Sequence, residues 1–399
     1  MELSNIRILK KSYKLSDAIW SMSISCNNQY IVTGGCSGEI WTWDINHLVS
    51  INNIINSNYQ YLSDIPILNN SNEVIVGGID DVNINLVNIF NSQISKILIK
   101  NIKSFEQITS IIISNNNKYF VCDNRVNSYE SHLSIYSLEM NKVLFHFAYN
   151  IKIQCVAITN NDKNIISINA KGTINIWDSQ TGACIYSFEG YQNCYTLKIF
   201  DDNHIICVLN LEIRIINIHN GLSVKTFNNY TFPINDIAIS STQEYIISGH
   251  KNGSILVLDI FSGKITHTFR GHTSEVRKVL IINNDTEIIS ASNDGSVKIW
   301  SIDKSKLKYT LYGFSDGTNT IIDHIHHTIS NNNYQNYLCL INVSEQIDDI
   351  DSKLDSMQSI NIDNYCHIGN STKEIIKRML PVQNESLIEE IDVDDEVYF

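Results

Sequence analysis

Histidines, carboxylates and cysteines are the residues of this chain that could do chemistry, and two histidine groups have suggestive spacing. His272 and Asp294 could form an acid–base pair, because a carboxylate can orient an imidazole for proton transfer. His324, His326 and His327 form a cluster, and on a strand His324 and His326 would share a face, as two metal ligands do. No third and fourth ligand follow at a usual spacing, so we predict no metal site.

The cysteines also lack the pattern of a metal or redox site. Their number is odd and no CxxC pair occurs among them: Cys26, Cys36, Cys122, Cys155, Cys184, Cys194, Cys207, Cys339 and Cys366. Free cysteine behaves as a small apolar residue, and intracellular thiols stay reduced. We therefore expect reduced, mostly buried thiols in a cytoplasmic or nuclear protein that is not secreted.

Charge is distributed unevenly along the chain. Residues 1–343 hold 25 basic and 28 acidic residues, whereas residues 344–399 hold 4 basic and 14 acidic ones. The body has no basic stripe, which argues against nucleic acid as a partner, since phosphate contacts need clustered Lys and Arg. The N-terminus lacks the pattern of a signal peptide and no apolar run has membrane-spanning length, so we expect no membrane association.

A repeat of about forty residues organises most of the chain. Its marker is a large residue at the end of a short apolar strand, followed each time by a small polar residue. The markers are Trp43, Val87, Tyr136, Trp177, Ile216, Leu258 and Trp300, and they lie 39 to 49 residues apart. Between markers come short strands and turns with no helical periodicity, which predicts a series of four-stranded antiparallel sheets.

The clearest repeat begins at Arg270. It contains apolar strands at residues 276–282, 287–292 and up to Trp300, and a fourth at residues 307–311. An Asp294-Gly295 turn precedes the third strand, and glycine supplies the positive φ that tight hairpins need. The fifth repeat has Asn210, Leu211 and Glu212 there without glycine, and the third has an insertion at residues 124–131, so we expect irregular loops in both.

These residues resemble the WD-repeat family of β-propellers. Gly271-His272, Ser290-Ala291-Ser292, Asp294-Gly295 and Trp300 carry the resemblance, with Trp43-Asp44 and Trp177-Asp178 as partial matches. In that family the equivalents of His272, Ser290, Asp294 and Trp300 form a buried hydrogen-bonded set. The resemblance thus implies a structural role for His272 and Asp294 rather than catalysis.

The number of blades is open between seven and eight. Residues 6–13 resemble an outer strand that precedes the first blade, and residues 319–327 and 334–343 resemble the first two strands of a further blade. Residues 359–363 could supply its third strand. Because a propeller must not end on an exposed edge, we expect the N-terminal strand to complete an eighth, closing blade, with seven blades plus an appendage as the alternative.

The predicted domain organisation is a propeller over residues 1–345, with a closing strand that extends to residue 363 at most, and an acidic tail over residues 346–399. In the tail, a short helix is predicted near residues 372–380, since apolar residues fall on one face before Pro381. The last residues alternate acidic and apolar side chains, and we take Asp395, Tyr398 and Phe399 as partner-binding candidates. A solubilising disordered end explains the same composition.

Function is predicted to lie on the propeller surface. By the resemblance, the loop before a first strand and the turn between second and third strands share one face, which makes Ser274, Arg277 and Asn293 candidates for partner binding. The chain has no GxxxxGK[ST], GxSxG or HExxH motif and no FRRG-like basic pair of phosphoinositide-binding propellers. We predict a non-catalytic protein-interaction scaffold without a cofactor.

Two alternatives remain beside the scaffold. A substrate receptor of a ubiquitin ligase has the same fold and would also bind proteins. An enzyme or small-ligand binder would need convergent polar groups in the central channel. The predicted innermost strands, such as IWSMSIS and NDIAIS, consist mainly of apolar and hydroxyl residues, which argues against that alternative.

Overall fold

The computed structural model describes residues 6–10, 18–35, 38–55, 64–69, 72–77, 83–99, 107–125, 131–149, 151–228, 230–313, 319–326, 328–331, 338–342 and 366–367. These residues form a β-propeller of seven blades, one for each of the seven marker residues, and no helix occurs among them. The tail candidates Asp395, Tyr398 and Phe399, the expected helix at residues 372–380 and the strand at residues 359–363 lie outside the described residues.

Each blade is an antiparallel sheet whose strands we call a to d from the channel outward. Blade 1 contains Ile19–Ile24, Tyr30–Gly35, Glu39–Asp44 and Val49–Ile55; blade 2 contains Glu73–Val76, Ile84–Asn88 and Ile94–Ile99; blade 3 contains Gln107–Ile113, Tyr119–Arg125, Ser131–Ser137 and Lys142–Tyr149; blade 4 contains Ile153–Ile158, Asn164–Asn169, Ile174–Asp178 and Cys184–Phe188. Blade 5 contains Cys194–Asp201, His204–Leu209, Glu212–Asn217 and Ser223–Phe227; blade 6 contains Ile234–Ile239, Tyr245–His250, Ile255–Asp259 and Ile265–Phe269; blade 7 contains Val276–Ile282, Glu287–Ser292, Ser296–Ser301 and Lys306–Gly313. In blade 2 a single bridge between Ile67 and Val74 takes the place of strand a.

Apolar side chains between neighbouring blades form the core. The b and c strands are buried on both faces, so they consist of nearly continuous apolar residues. Between blades 4 and 5, for example, Ile166 and Ile176 pack against Ile205 and Ile216, and all four are at most 1 % exposed. Burying one such side chain contributes about 1.5 to 3 kcal/mol. All seven marker residues lie in c strands, which explains why they recur.

Blade 7 packs directly against blade 1. Ile289 and Ile299 share one core cluster with Ile19, Trp41 and Trp43. Seven blades therefore close the ring within the described residues, and blade 1 has four strands of its own.

The prediction of an eighth blade is wrong for the first strand of that blade. Residues 319–327 were predicted to form an innermost strand, but Asn319–Asp323 pairs with the outer strand of blade 7, with Tyr312 opposite Thr320. Because strand a of blade 1 occupies the position beside strand a of blade 7, only the outer edge is open to more strands. Thr328–Asn331 and Cys366–His367 extend this sheet further, and Ile6–Lys10 pairs with Leu338–Asn342 instead of completing a blade.

The a–b turns at the bottom of the ring are joined from blade to blade. The carboxylate of Asp162 in blade 4 accepts hydrogen bonds from the backbone N–H groups of Asn115 (2.7 Å) and Asn116 (3.0 Å) in blade 3. Asp285 in blade 7 accepts in the same way from Ser241 in blade 6 at 3.0 Å. Charged acceptors make such bonds stronger than neutral ones, so these turns link neighbouring blades.

The fifth blade does not have the irregular turn predicted for it. Its b and c strands are joined by the two residues Asn210 and Leu211, and Asn210 adopts a φ of 58°. Asparagine tolerates this left-handed conformation, so it replaces the glycine of the other repeats, such as Gly295 with a φ of 74°. In blade 3 the insertion lengthens strands b and c, which remain paired up to Arg125 and Ser131.

The burial of the thiols matches only part of what the sequence suggested. Among the six free cysteines assigned in the described part, Cys122, Cys194 and Cys207 are buried, Cys155 is half-buried, and Cys26 and Cys184 are exposed. Within the same part of the chain there is no helix of the length and hydropathy needed to cross a membrane.

Candidate functional site

A ring of five side chains lines one mouth of the central channel. In six blades the pairing of strands a and b skips one residue near the start of strand a, which makes a β-bulge. In blade 3 the skipped residue is Thr109. In the other five blades the skipped residues line a channel of about 1010 Å³, and they are Trp20, Gln154, Tyr195, Asn235 and Arg277. A bulge redirects the side chain of its extra residue. We call these five residues the mouth ring.

Arg277 is the most extensively held member of the mouth ring. Its guanidinium lies 5.3 Å from the ring centre of Trp20 in blade 1, a cation–π contact that joins the two blades. Its Nε donates to Asn293 Oδ1 at 2.8 Å, and its Nη2 lies 3.2 Å from Glu275 Oε2. Ser274 lies beside them, where its carbonyl oxygen accepts a hydrogen bond from Ser292 Oγ. The structure thus brings Ser274, Arg277 and Asn293 together at the channel mouth.

Asn235 and Tyr195 continue the ring through blades 6 and 5. Asn235 Nδ2 donates to the carbonyl oxygen of Val276 at 3.0 Å, and the Asn235 carbonyl accepts from Thr196 Oγ1 at 2.8 Å. Tyr195 is 56 % exposed, and its large side chain is open to solvent at the mouth. The amide oxygen of Gln154 is buried without a hydrogen-bond partner. The mouth therefore combines fixed polar groups with exposed aromatic area.

One step inside the mouth, charged side chains of different blades pair with each other. Lys278 Nζ lies 3.1 Å from Asp64 Oδ1, and Ser110 Oγ donates to the same carboxylate at 2.9 Å. Lys198 Nζ lies 3.3 Å from Asp236 Oδ1. Burial alone would lower the pKa of Lys278, but the carboxylates of Asp64 and Asp236 outweigh it and raise that pKa above its ordinary value. Lys278 is therefore charged at neutral pH.

These pairs correct the description of the inner strands as apolar and hydroxyl residues. Asp236, Lys198 and Lys278 all point into the channel, although each stands in a strand with a mostly apolar sequence. Lys278 and Asp64 are 214 residues apart along the chain, so no local sequence pattern could have predicted their contact. The channel lining thus combines apolar side chains with charged ones, and the inner charges are paired with one another.

His272, Ser290, Asp294 and Trp300 form one continuous hydrogen-bonded set in blade 7. Trp300 Nε1 donates to Ser290 Oγ at 2.8 Å, and Ser290 Oγ lies 2.7 Å from His272 Nε2. His272 Nδ1 lies 2.8 Å from Asp294 Oδ2. A neutral imidazole with its proton on Nδ1 satisfies every member, since the serine hydroxyl then donates to Nε2 and Nδ1–H donates to the carboxylate.

Burial determines the protonation states in this set. It lowers the pKa of His272, against the opposing effect of Asp294. Burial would raise the pKa of Asp294, but the interactions with His272 and the hydrogen bond from Ser296 hold it well below its ordinary value. The His272 side chain is fully buried and that of Asp294 is 5 % exposed, so no substrate can reach the pair.

Parts of the same set recur in other blades. Trp177 Nε1 donates to Ser167 Oγ at 3.0 Å in blade 4, and Trp43 Nε1 to Thr33 Oγ1 at 3.4 Å in blade 1. Blade 6 has a variant that the sequence analysis missed, because its histidine comes from strand b. There His250 Nε2 lies 2.9 Å from Ser248 Oγ, and its Nδ1 lies 3.1 Å from the Phe232 carbonyl oxygen. The sequence signal for this variant is a histidine two residues after a serine of strand b, here Ser248 and His250.

The histidine cluster at residues 324–327 does not assemble into a site in the described part. The strand ends at Asp323, so His324 and His326 lie in a turn rather than on one strand face. His324 Nε2 contacts Thr310 Oγ1 at 2.9 Å, and His326 Nδ1 contacts Asp323 Oδ2 at 2.7 Å. His327 lies outside the described residues. No group of three potential ligands among the described residues is arranged to hold a metal ion.

Comparison with known proteins agrees with this architecture. The family model for the WD domain, G-beta repeat, matches residues 6–44, 221–259 and 263–301. The last two matches cover the c strands of blades 6 and 7, and the last contains the whole hydrogen-bonded set of His272. No curated protein matches the chain. With three matched repeats in a closed ring of seven blades, this chain belongs to the WD-repeat family of β-propeller proteins.

Proposed function

We propose that this protein is a non-catalytic interaction scaffold that binds a partner protein at the mouth ring. The observation that carries the proposal is the repeated bulge, which presents a large or polar side chain from each of five blades at the same end of the channel. Interaction sites are enriched in Trp, Tyr and Arg, and the ring contains one of each.

Preorganisation of the ring supports this proposal. Arg277 is held by Trp20, Asn293 and Glu275 before any partner binds, so little side-chain entropy remains to be lost on association. Tyr195 adds exposed aromatic area with only two rotatable side-chain bonds. A partner segment that enters the channel would meet both.

A scaffold also accounts better than an enzyme for the ionisable groups. The acid–base pair of His272 and Asp294 is sealed inside blade 7. The charges in the channel are paired as Lys278 with Asp64 and Lys198 with Asp236, which leaves them positioned to hold blades together. The role of substrate receptor in a ubiquitin ligase would use the same mouth ring and is contained in this proposal as one kind of scaffold.

Affinity purification of the full chain tests the proposal. The variant Tyr195→Ala with Lys251→Glu changes the mouth in blades 5 and 6. The matched control, Leu222→Ala with Lys264→Glu, changes an exposed apolar residue and a lysine at the opposite end of the same two blades. We expect quantitative mass spectrometry to show partners lost from the mouth variant and kept by the control. Equal recovery by both variants would refute the mouth as the binding site.

A further inference from the structure

The turns around the mouth ring carry more cations than anions. Strand a begins at this end of each blade, and the d–a loops and b–c turns meet there. In blades 4 to 7 these loops and turns contain Lys152, Lys171, Lys251 and Arg270 as cations and Glu189, Glu275 and Asp294 as anions, of which Asp294 is buried against His272. Glu275 already contacts Arg277. The a–b turns of the opposite end have the reverse balance, with Asp162, Asp201, Asp202, Glu244 and Asp285 against Lys118 and Lys163.

Exposed aromatic side chains lie among these cations. Tyr195 is 56 % exposed, and Phe232 is 46 % exposed beside Pro233, which lines the channel. Lys251 is exposed in the same blade as Phe232. A surface that combines cations with aromatic rings fits a peptide in which carboxylates alternate with apolar residues, because each component of the peptide then finds its complement.

The chain itself contains such a peptide. Residues 385–399 hold seven acidic residues and no basic one. Apolar residues alternate with them and end in Val397, Tyr398 and Phe399. The negative charge of this segment thus complements the cations of the mouth, and its apolar side chains complement the exposed aromatic rings there.

The connection is long enough for the segment to reach the mouth. Cys366–His367 pairs with Thr328–Asn331 at the outer end of the seven-stranded sheet of blade 7. Six strand spacings separate it from strand a, which is on the order of 30 Å. Seventeen residues lie between positions 367 and 385, and a random chain of that length would span about 23 to 25 Å on average and up to about 60 Å when extended.

We propose that residues 385–399 dock on the mouth ring of the same chain and compete there with the partner protein. This inference rests on the proposed function, because it makes the tail a regulator of that same site. Tethering gives the segment an effective concentration of about 1 mM, so even weak intrinsic binding would occupy the mouth most of the time. A partner would then need to displace the segment. High salt would also release it, because screening weakens the attraction between its carboxylates and the cations of the mouth.

The test measures binding of a fluorescent synthetic peptide of residues 385–399 to full-length chains. One chain is native. In the neutral-tail variant, Glu389, Glu390 and Glu396 become Gln and Asp392, Asp394 and Asp395 become Asn. The matched control makes the equivalent changes at Glu345, Asp348, Asp349, Asp351, Asp355 and Asp363. We expect the peptide to bind the neutral-tail variant about tenfold or more tightly than the native chain and the control, because both retain the competing segment.

Mouth substitutions then locate the site. In the neutral-tail variant, Tyr195→Ala with Lys251→Glu should abolish peptide binding, and Leu222→Ala with Lys264→Glu should leave it unchanged. Equal peptide affinity for native and neutral-tail chains would overturn docking within one chain, as would a native chain that forms dimers which the neutral-tail variant does not. Absence of peptide binding, with partner capture still dependent on Tyr195 and Lys251, would overturn this inference and leave the proposed function intact.

Discussion

Replacing Ser290 by alanine tests the hydrogen-bonded set of blade 7. Ser290 Oγ accepts from Trp300 Nε1 at 2.8 Å and donates to His272 Nε2 at 2.7 Å, and the serine is completely buried. Its removal leaves the indole N–H and the imidazole nitrogen without partners, at 2 % and 7 % residue exposure. Each unsatisfied buried group costs about 1 to 3 kcal/mol, so the two groups together should lower the free energy of unfolding by about 2 to 6 kcal/mol.

Ser248→Ala in blade 6 is a closely matched control. Ser248 Oγ contacts His250 Nε2 at 2.9 Å and the Leu256 carbonyl oxygen at 3.5 Å, as Ser290 Oγ contacts His272 and the Lys298 carbonyl oxygen at 3.5 Å. Blade 6 has Leu258 at the position of Trp300, so no indole loses its acceptor. We therefore expect about half the loss, roughly 1 to 3 kcal/mol.

Urea unfolding followed by far-ultraviolet circular dichroism measures both variants. The midpoint should fall further for Ser290→Ala than for Ser248→Ala, with an unchanged m-value in each case. Equal shifts would show that the indole bond contributes nothing measurable. No shift for Ser290→Ala would refute the assignment of a satisfied buried network in blade 7.

Burial lowers the pKa of Lys298 to about 8, against the attraction of Asp294, so at pH 7 Lys298→Met should raise the free energy of unfolding by about 2 to 4 kcal/mol. Between pH 8 and 10.5 the unfolded chain binds more protons at Lys298, so the stability of the native chain relative to Lys298→Met should rise with pH there, as urea titrations of both chains at several pH values will show. Asp162→Ala should cost about 1 to 2 kcal/mol through the freed N–H groups of Asn115 and Asn116, and hydrogen exchange should speed up at this turn, while unchanged exchange would contradict the blade-to-blade link. Deletion of residues 1–14 should leave the melting temperature of the ring nearly unchanged, because blade 1 has four strands without them; a large decrease by calorimetry would restore the closing role first expected of the N-terminal strand.

The seven repeats and their c strands were predictable because they depend on local patterns, whereas the expected eighth blade was not found among the described residues. A strand buried on both faces must be apolar and end at a turn, so Trp43, Trp177 and Trp300 mark its position wherever the repeat occurs. Ser290 and His272 were identified through the family resemblance. His250 was not, since in blade 6 it reaches its serine from strand b instead of the preceding loop.

The mouth ring could not be predicted, because a bulge depends on the pairing register of two strands. Nothing in the type of Trp20 or Gln154 distinguishes a skipped residue from a paired one. The prediction of how the ring closes was wrong for a related reason. Residues 319–323 have the apolar character of an inner strand, but the position of blade 1 leaves them only the outer edge of blade 7.

Photo-crosslinking in cells tests the central claim, that partners bind at the channel mouth, most directly. A photoreactive phenylalanine derivative is placed at position 195 in one full-length chain and at position 222 in another, since both side chains are more than half exposed in blade 5 but at opposite ends. We predict a covalent adduct with a partner protein from position 195 and none from position 222. Adducts from position 222 alone would contradict the claim.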